Sequence, residues 1–272
     1  MMRAFLPLGL RPWSIIFAVL CASLPGAHAD PVPVRFTRGT IHGFVDLRAE
    51  DGRVVASGDL FQVVLGSQVT DHLTFHFKDG SVDDETTVFS QRRTFQLISD
   101  HHIQKGPSFP LQLDLMIDCR TGKVTVHSTG KDGKEEVKTS QLHLPADLAN
   151  GIISAACENL RPGAQPAKLS MLVATPSLRL VTLSISSRGE DPFTVNGVSE
   201  KATHYEMKIV LGGAVGILAP MFGKQPPNIQ IWIAGGQAPT FVREQGQLYA
   251  DSPMYTIELA SPTWPDEAAP GK

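Results

Sequence analysis

Apolar and polar side chains alternate with a period of two along most of this chain, and that period decides the fold class. Leu73, Phe75 and Phe77 share one face of a strand, with His72, Thr74 and His76 on the other. Leu111, Leu113, Leu115 and Ile117 alternate with Gln112, Asp114 and Asp118, and Tyr205, Met207 and Ile209 with His204, Glu206 and Lys208. Ile229, Ile231 and Ile233, then Tyr255, Ile257 and Leu259, repeat the pattern. One apolar and one polar face is what a half-buried antiparallel sheet requires.

Turn residues separate these runs. Asp51-Gly52, Asp79-Gly80, Thr121-Gly122, Asp132-Gly133, Asn196-Gly197, Gly235-Gly236 and Gln245-Gly246 each stand between two alternating stretches. Glycine tolerates the positive φ of tight hairpins. Consecutive hairpins predict a meander, and regularly interposed helices, which a parallel βαβ fold would need, are missing. A single helix is predicted near 147–160, where Leu148, Ile152, Ile153, Ala156 and Leu160 recur at helical spacing before Arg161-Pro162-Gly163. The expected fold is mainly β: a curved antiparallel meander, as a half-barrel or open barrel, with one central α-helix over its concave side or one end. Accumulated strand twist makes so wide a sheet curl.

The N-terminus has the zoning of a secretory signal peptide. Arg3 and Arg11 precede the apolar run Trp13 to Leu20, and Pro25 and Ala27-His28-Ala29 follow, so cleavage is expected after Ala29. Cys21 suggests lipidation, but Leu20 before it is larger than lipoprotein processing favours. The expected layout is a signal peptide at 1–29, a single β-rich domain at 30–260 and a flexible tail at 261–272. The apolar run is too short for a permanent transmembrane helix, which needs about 20 residues. The expected localisation is export to the periplasm or the extracellular space.

Cleavage removes two of the 24 basic residues and none of the 27 acidic ones. A mildly acidic chain without a basic tract is a poor partner for nucleic acid. Cys119 and Cys157 survive cleavage as candidates for a disulfide in an oxidising compartment, with two buried free thiols as the alternative.

Leu211 to Phe222 breaks the alternation, being apolar on all sides, uncharged and rich in glycine. It is read either as a buried plug or as a mobile lid that touches a ligand, with Leu211, Val215, Ile217, Leu218, Met221 and Phe222 as candidate ligand-binding residues. Metal ligation is not expected. His101 and His102 are adjacent and point to opposite faces of a strand, while His72 and His76 lie about 13 Å apart. Asp83-Asp84-Glu85 lacks the spacing of a calcium loop and is read as solvated charge at a strand entrance. No Gly-x-Ser-x-Gly elbow, His-Glu-x-x-His or phosphate-binding Gly-x-x-x-x-Gly-Lys occurs, so no catalytic residue and no cofactor are predicted.

The stretch from Asp83-Asp84-Glu85 through Gln91-Arg92-Arg93-Thr94-Phe95 to Gly106-Pro107-Ser108-Phe109-Pro110 resembles a block found in uncharacterised exported bacterial proteins. The likeness extends through Leu144-Pro145-Ala146-Asp147-Leu148-Ala149-Asn150-Gly151 to Ile231-Trp232-Ile233. It implies no activity. The plan of curved meander and central helix is similar in architecture to periplasmic half-barrel carriers of lipids and lipoproteins, and fold does not imply function.

These readings lead to a noncatalytic envelope protein that binds or carries a hydrophobic ligand such as a lipid. The alternative is a structural or interaction module whose partner is an envelope protein, and a hydrolytic enzyme comes third.

Overall fold

A computed structural model describes residues 31–174, 178–195, 198–210 and 226–260. The first half of the chain supplies β1 (Ile41–Arg48), β2 (Val54–Leu65), β3 (Gln68–Phe77), β4 (Val82–Gln91), β5 (Phe95–Lys105), β6 (Gln112–Asp118), β7 (Lys123–Thr129) and β8 (Glu135–Gln141). The helix α1 (Ile153–Asn159) follows. The second half supplies β9 (Ala167–Val173), β10 (Arg179–Val195), β11 (Val198–Val210), β12 (Ile229–Ala234), β13 (Thr240–Gln247) and β14 (Met254–Leu259).

All fourteen strands form one antiparallel sheet in the order β8-β7-β6-β5-β4-β3-β2-β1-β14-β13-β12-β11-β10-β9. Every neighbour is a sequence neighbour except β1 and β14, which join the two half-meanders through pairs such as Val45 with Leu259 and Leu47 with Ile257. The expected curved meander is therefore what the chain forms, left open between β8 and β9. Glycines with positive φ turn the hairpins at Gly52, Gly66, Gly80, Gly122 and Gly133. Gln245-Gly246 is not a turn as expected: Gly246 lies inside β13, opposite Tyr255. A glycine that leaves a strand without a side chain produces the same break in pattern as a hairpin.

Curvature shows in contacts between strands far apart in the sheet. Gln104 of β5 donates through Nε2 to the Leu248 carbonyl just after β13, at 3.0 Å, and Phe109 meets Tyr249 edge-on. Ladder shifts at Val88/Phe89, Leu47/Arg48 and Trp232/Ile233 add local twist.

The helix is shorter than the periodicity predicts. Gly151 has φ +67°, and Leu148 instead makes a parallel bridge to Ser170 on the free edge of β9, with the Ala149 N–H donating to the Ser170 carbonyl and the Ser170 N–H to the Asp147 carbonyl. Asn150 continues that pairing with its side chain, donating to the Leu172 carbonyl and accepting from the Leu172 N–H, both at 2.9 Å. The segment covers an otherwise unpaired strand edge, and this competes successfully with helix formation. α1 itself lies inside the curve and contacts β12 and β13.

Two apolar clusters fill the concave side. The larger joins Ala149, Ile152, Ala155 and Ala156 to Phe89, Leu115 and Ile117 from one half and to Leu183, Met207 and Ile231 from the other. The smaller gathers Val45, Leu47, Ala56, Phe75, Phe77 and Phe109.

Candidate functional site

Between these clusters the inner face of the sheet turns polar. Strand register fixes the layer as two cross-strand rows. One runs Leu60, Leu73, Glu85, His102, and the next runs Gln62, Asp71, Thr87, Asp100. Asp83 and Gln104 stand beside them as a directly opposed pair. Glu244 of β13 completes the layer from the opposite wall, close enough for its charge to act on Glu85.

Asp83 accepts from His102 Nε2 at 2.7 Å and from Gln104 Nε2 at 3.0 Å, so its carboxylate is well satisfied. Asp100 receives the Thr87 hydroxyl at 2.9 Å on Oδ1, but its Oδ2 has no partner although the residue is only 1% exposed. Asp71 Oδ1 is likewise buried without a partner. At the helix end, Arg38 pairs with Glu158 and donates through Nε to Gln62 at 2.6 Å. Within this layer the carboxyl groups of Asp71, Asp83, Glu85, Asp100, Glu158 and Glu244 have Arg38 and His102 as their cations.

The surplus of negative groups is relieved by protons. Burial pushes Glu244 up to about 7. Burial also raises Asp71 to about 6, an effect that Arg38 partly offsets and Glu158 reinforces. Glu85 and Asp100 are both raised, by burial first; the charge of Asp100 lifts Glu85 further, and the Thr87 hydrogen bond restrains Asp100. For His102, burial alone would lower the value, but the Asp83 hydrogen bond and the charges of Asp83, Glu85 and Asp100 outweigh it and carry it to about 10. Perturbed groups gathered in one place are a mark of functional sites, though ion-pair networks share it.

The layer keeps some accessible surface. Glu85, His102 and Glu244 are enclosed by protein, yet each is only half-buried. Leu60, Leu73, Tyr255 and Ile257, on the same inner face, also keep part of their surface open. Carboxyl and aliphatic side chains thus share an inner face that keeps some accessible surface, with Leu73, Tyr255 and Ile257 also packed against the smaller cluster.

The acidic trio is thus not solvated charge at a strand entrance. Asp83 and Glu85 point inward, and only Asp84 faces out, bonded to Thr74 at 2.5 Å and to His72 at 2.8 Å. The parity of β4 carries the signal that finds them, since Asp83, Glu85 and Thr87 share a face with the fully buried Phe89. His101 and His102 do take opposite faces: His101 Nε2 meets Asp114 on the outside at 2.9 Å, and His102 turns inward. Among the described residues no three His, Cys, Asp or Glu groups come together as a metal site.

The candidate ligand-binding residues Leu211, Val215, Ile217, Leu218, Met221 and Phe222 lie outside the described residues. Cys119 and Cys157 are free thiols in the structure, so the candidate disulfide is not formed there. Among the described residues no helix is long and apolar enough to cross a membrane.

No family model matches the sequence. No curated protein matches it either. Among solved structures the chain is similar to a β-barrel-like protein of the domain of unknown function DUF1849 from Brucella abortus. The identity is 11%, the match covers 83% of this chain and 98% of that one, and the TM-score is 0.45.

Proposed function

We propose that this is a noncatalytic binding protein of the bacterial envelope, exported by its N-terminal signal, that carries a ligand with a hydrophobic part inside the curved sheet. The partial exposure of inner-face residues between the two apolar clusters, among them Leu60, Glu85, His102 and Glu244, supports this reading. Well-packed interiors leave few voids larger than a water molecule. Aliphatic walls with a few convergent polar groups are the ordinary make-up of a small-molecule site. Protein purified from the envelope should release an organic ligand on solvent extraction, and emptied protein should bind decanol or a similar neutral amphiphile. Empty protein that binds no such probe would remove the reading. N-terminal sequencing of the exported form should begin at Asp30.

A specific feature favours interaction with another envelope protein as a second reading. On the convex side of β1 and β2, Phe44, Phe61, Val63 and Leu65 are exposed, Leu65 to 75%, with His42 stacked on Phe61 at 3.9 Å. Contiguous apolar side chains on a soluble surface commonly mark a contact site.

A further inference from the structure

In the second half-meander the run Ile231-Trp232-Ile233 serves both faces of the sheet. Ile231 and Ile233 are buried inside, so Trp232 points outward, flanked across the ladder by His204 on β11 and Arg243 on β13. Three contacts lock its indole. The Nε1–H donates to Asp191 Oδ2 on β10 at 2.8 Å, the His204 ring stacks nearly parallel at 4.5 Å, and the Arg243 guanidinium lies 5.8 Å from the ring centre. His204 is held in turn, with Nδ1 3.2 Å from the same Asp191 oxygen and Nε2 2.7 Å from Gln230 Oε1. The indole thus reaches across β11 to β10, and Ala202 of β11 is 1% exposed on this outer side.

Beside this fixed ring lies a pocket of about 250 Å³, lined by Asp191, Pro192, Phe193, Trp232, Val242 and Arg243. A second pocket, of about 470 Å³, shares Pro192 with it and is lined also by Ser199, Glu200, Lys201, Gly235 and Gly236. The charged groups of the first are within reach of a ligand, the Asp191 and Arg243 side chains being 49% and 42% exposed. We propose that the two pockets together bind a neutral oligosaccharide, with one pyranose ring against Trp232 and the next beside Gly235 and Gly236.

Charge, shape and size each narrow the ligand. Either pocket sets one carboxylate against one cation, Asp191 with Arg243 and Glu200 with Lys201, so neither sign of ligand charge is favoured. Hydroxyl groups suit both, donating to the carboxylates and accepting from the cations. The apolar wall of Trp232, Phe193 and Val242 matches the C–H face of a sugar ring, whose partly positive hydrogens meet the negative face of an aromatic one. A wholly apolar ligand would strip water from Asp191 and Arg243 and return nothing. The first volume falls below the roughly 300–1,000 Å³ of sites for drug-sized ligands, which suits a single ring. An indole already locked in place has little freedom left to lose on binding. The site lies on the outer face of the sheet and is independent of the interior one.

Saturation-transfer NMR and titration calorimetry with cellobiose, maltose and N,N′-diacetylchitobiose test the proposal. At least one should bind with a millimolar or tighter dissociation constant, and more tightly than its own monosaccharide. W232A should weaken that binding at least tenfold and R243Q at least threefold, with melting temperatures close to wild type. Arg48 still holds Glu258 at 2.5 Å in R243Q, so this variant keeps the test open if W232A does not fold. Digalacturonate and fully deacetylated chitobiose, which carry charge of either sign, should bind no tighter than the neutral disaccharides. Binding of none of the three neutral sugars overturns the proposal, and so does binding that survives both variants. Tighter binding of a charged disaccharide overturns the neutral assignment. Tighter binding of N-acetyltryptophanamide overturns the sugar and gives the pocket to an aromatic side chain. Each of these outcomes leaves the interior reading, which decanol reports, untouched.

Discussion

The Thr87 side chain occupies the space where a Cβ on Gly151 would lie: its own Cβ is 2.8 Å from that point, and its hydroxyl is nearer still. Thr87 cannot swing away easily, because it is buried on the inner face of β4 and bonded to Asp100. Gly151 also sits at φ +67°, where L side chains are strained. G151A should therefore lower stability by about 2 kcal/mol or more, with the backbone and the packing penalties acting together. Urea denaturation gives the value. A loss under about 0.5 kcal/mol would show that the 147–151 segment does not rest against β4 as described.

Arg38 ties three parts of the chain together. Its guanidinium bonds Glu158 at the end of α1 and Gln62 on β2, while its backbone N–H reaches Gln91 Oε1 on β4 at 2.6 Å. Glu158 accepts in addition from the Phe241 N–H at 3.1 Å. Removing one partner of a buried pair leaves the other charge uncompensated, at a cost of about 3 kcal/mol. R38A should show that loss, and R38A/E158Q should recover a good part of it. An exposed pair provides the contrast: D114N, which breaks only the outer contact with His101, should change stability by less than about 1 kcal/mol.

Glu244 carries a pH dependence whose sign follows from burial. Its carboxyl titrates near 4.5 in the unfolded chain and near 7 in the folded one. The folded state thus binds the extra proton between those values, and stability falls as pH rises through that window. E244Q keeps a neutral side chain at every pH and should gain on wild type by about 1–3 kcal/mol between pH 5 and pH 8. Stability curves for the two proteins that stay parallel across this range would mean that Glu244 is solvated.

The sheet was legible because alternation is a local property: each strand states its own period, and each Asp-Gly turn its own hairpin. Such signals place Phe75 and Phe77 on one face without any knowledge of the neighbouring strand. The carboxylate layer leaves a weaker mark in the sequence: β4 parity aligns Asp83 and Glu85 with Phe89, but inward-facing acids look like solvated ones until the opposite wall is known. Glu85 becomes an interior residue only when β13 brings Glu244 to face it, across a sheet in which the two strands are far apart in order. The start of α1 failed for a related reason. Leu148 and Ile152 have helical spacing, but a strand edge at Ser170 and Leu172, some twenty residues later, captures Asp147 to Asn150 first.

Burial pushes the Cys119 thiol up to about 12, with Asp100 and Asp118 adding to the effect, and raises Cys157 as well, with help from Glu244 and Glu158. Thiols that resist ionisation are slow to react and slow to oxidise. Native protein should therefore react little with a thiol reagent, and denatured, unreduced protein should be alkylated at both Cys119 and Cys157. The anchoring of α1 does not need a bridge, since Asn159 Oδ1 accepts from the Arg35 and Phe36 N–H groups at 2.7 Å each and Arg38 holds Glu158. C157A should accordingly cost about 1–2 kcal/mol, the scale of a small cavity, not the roughly 4 kcal/mol expected from opening a loop of that length. Peptide mapping that finds Cys119 linked to Cys157 in protein from the envelope would overturn this account and restore the covalent tie between helix and sheet.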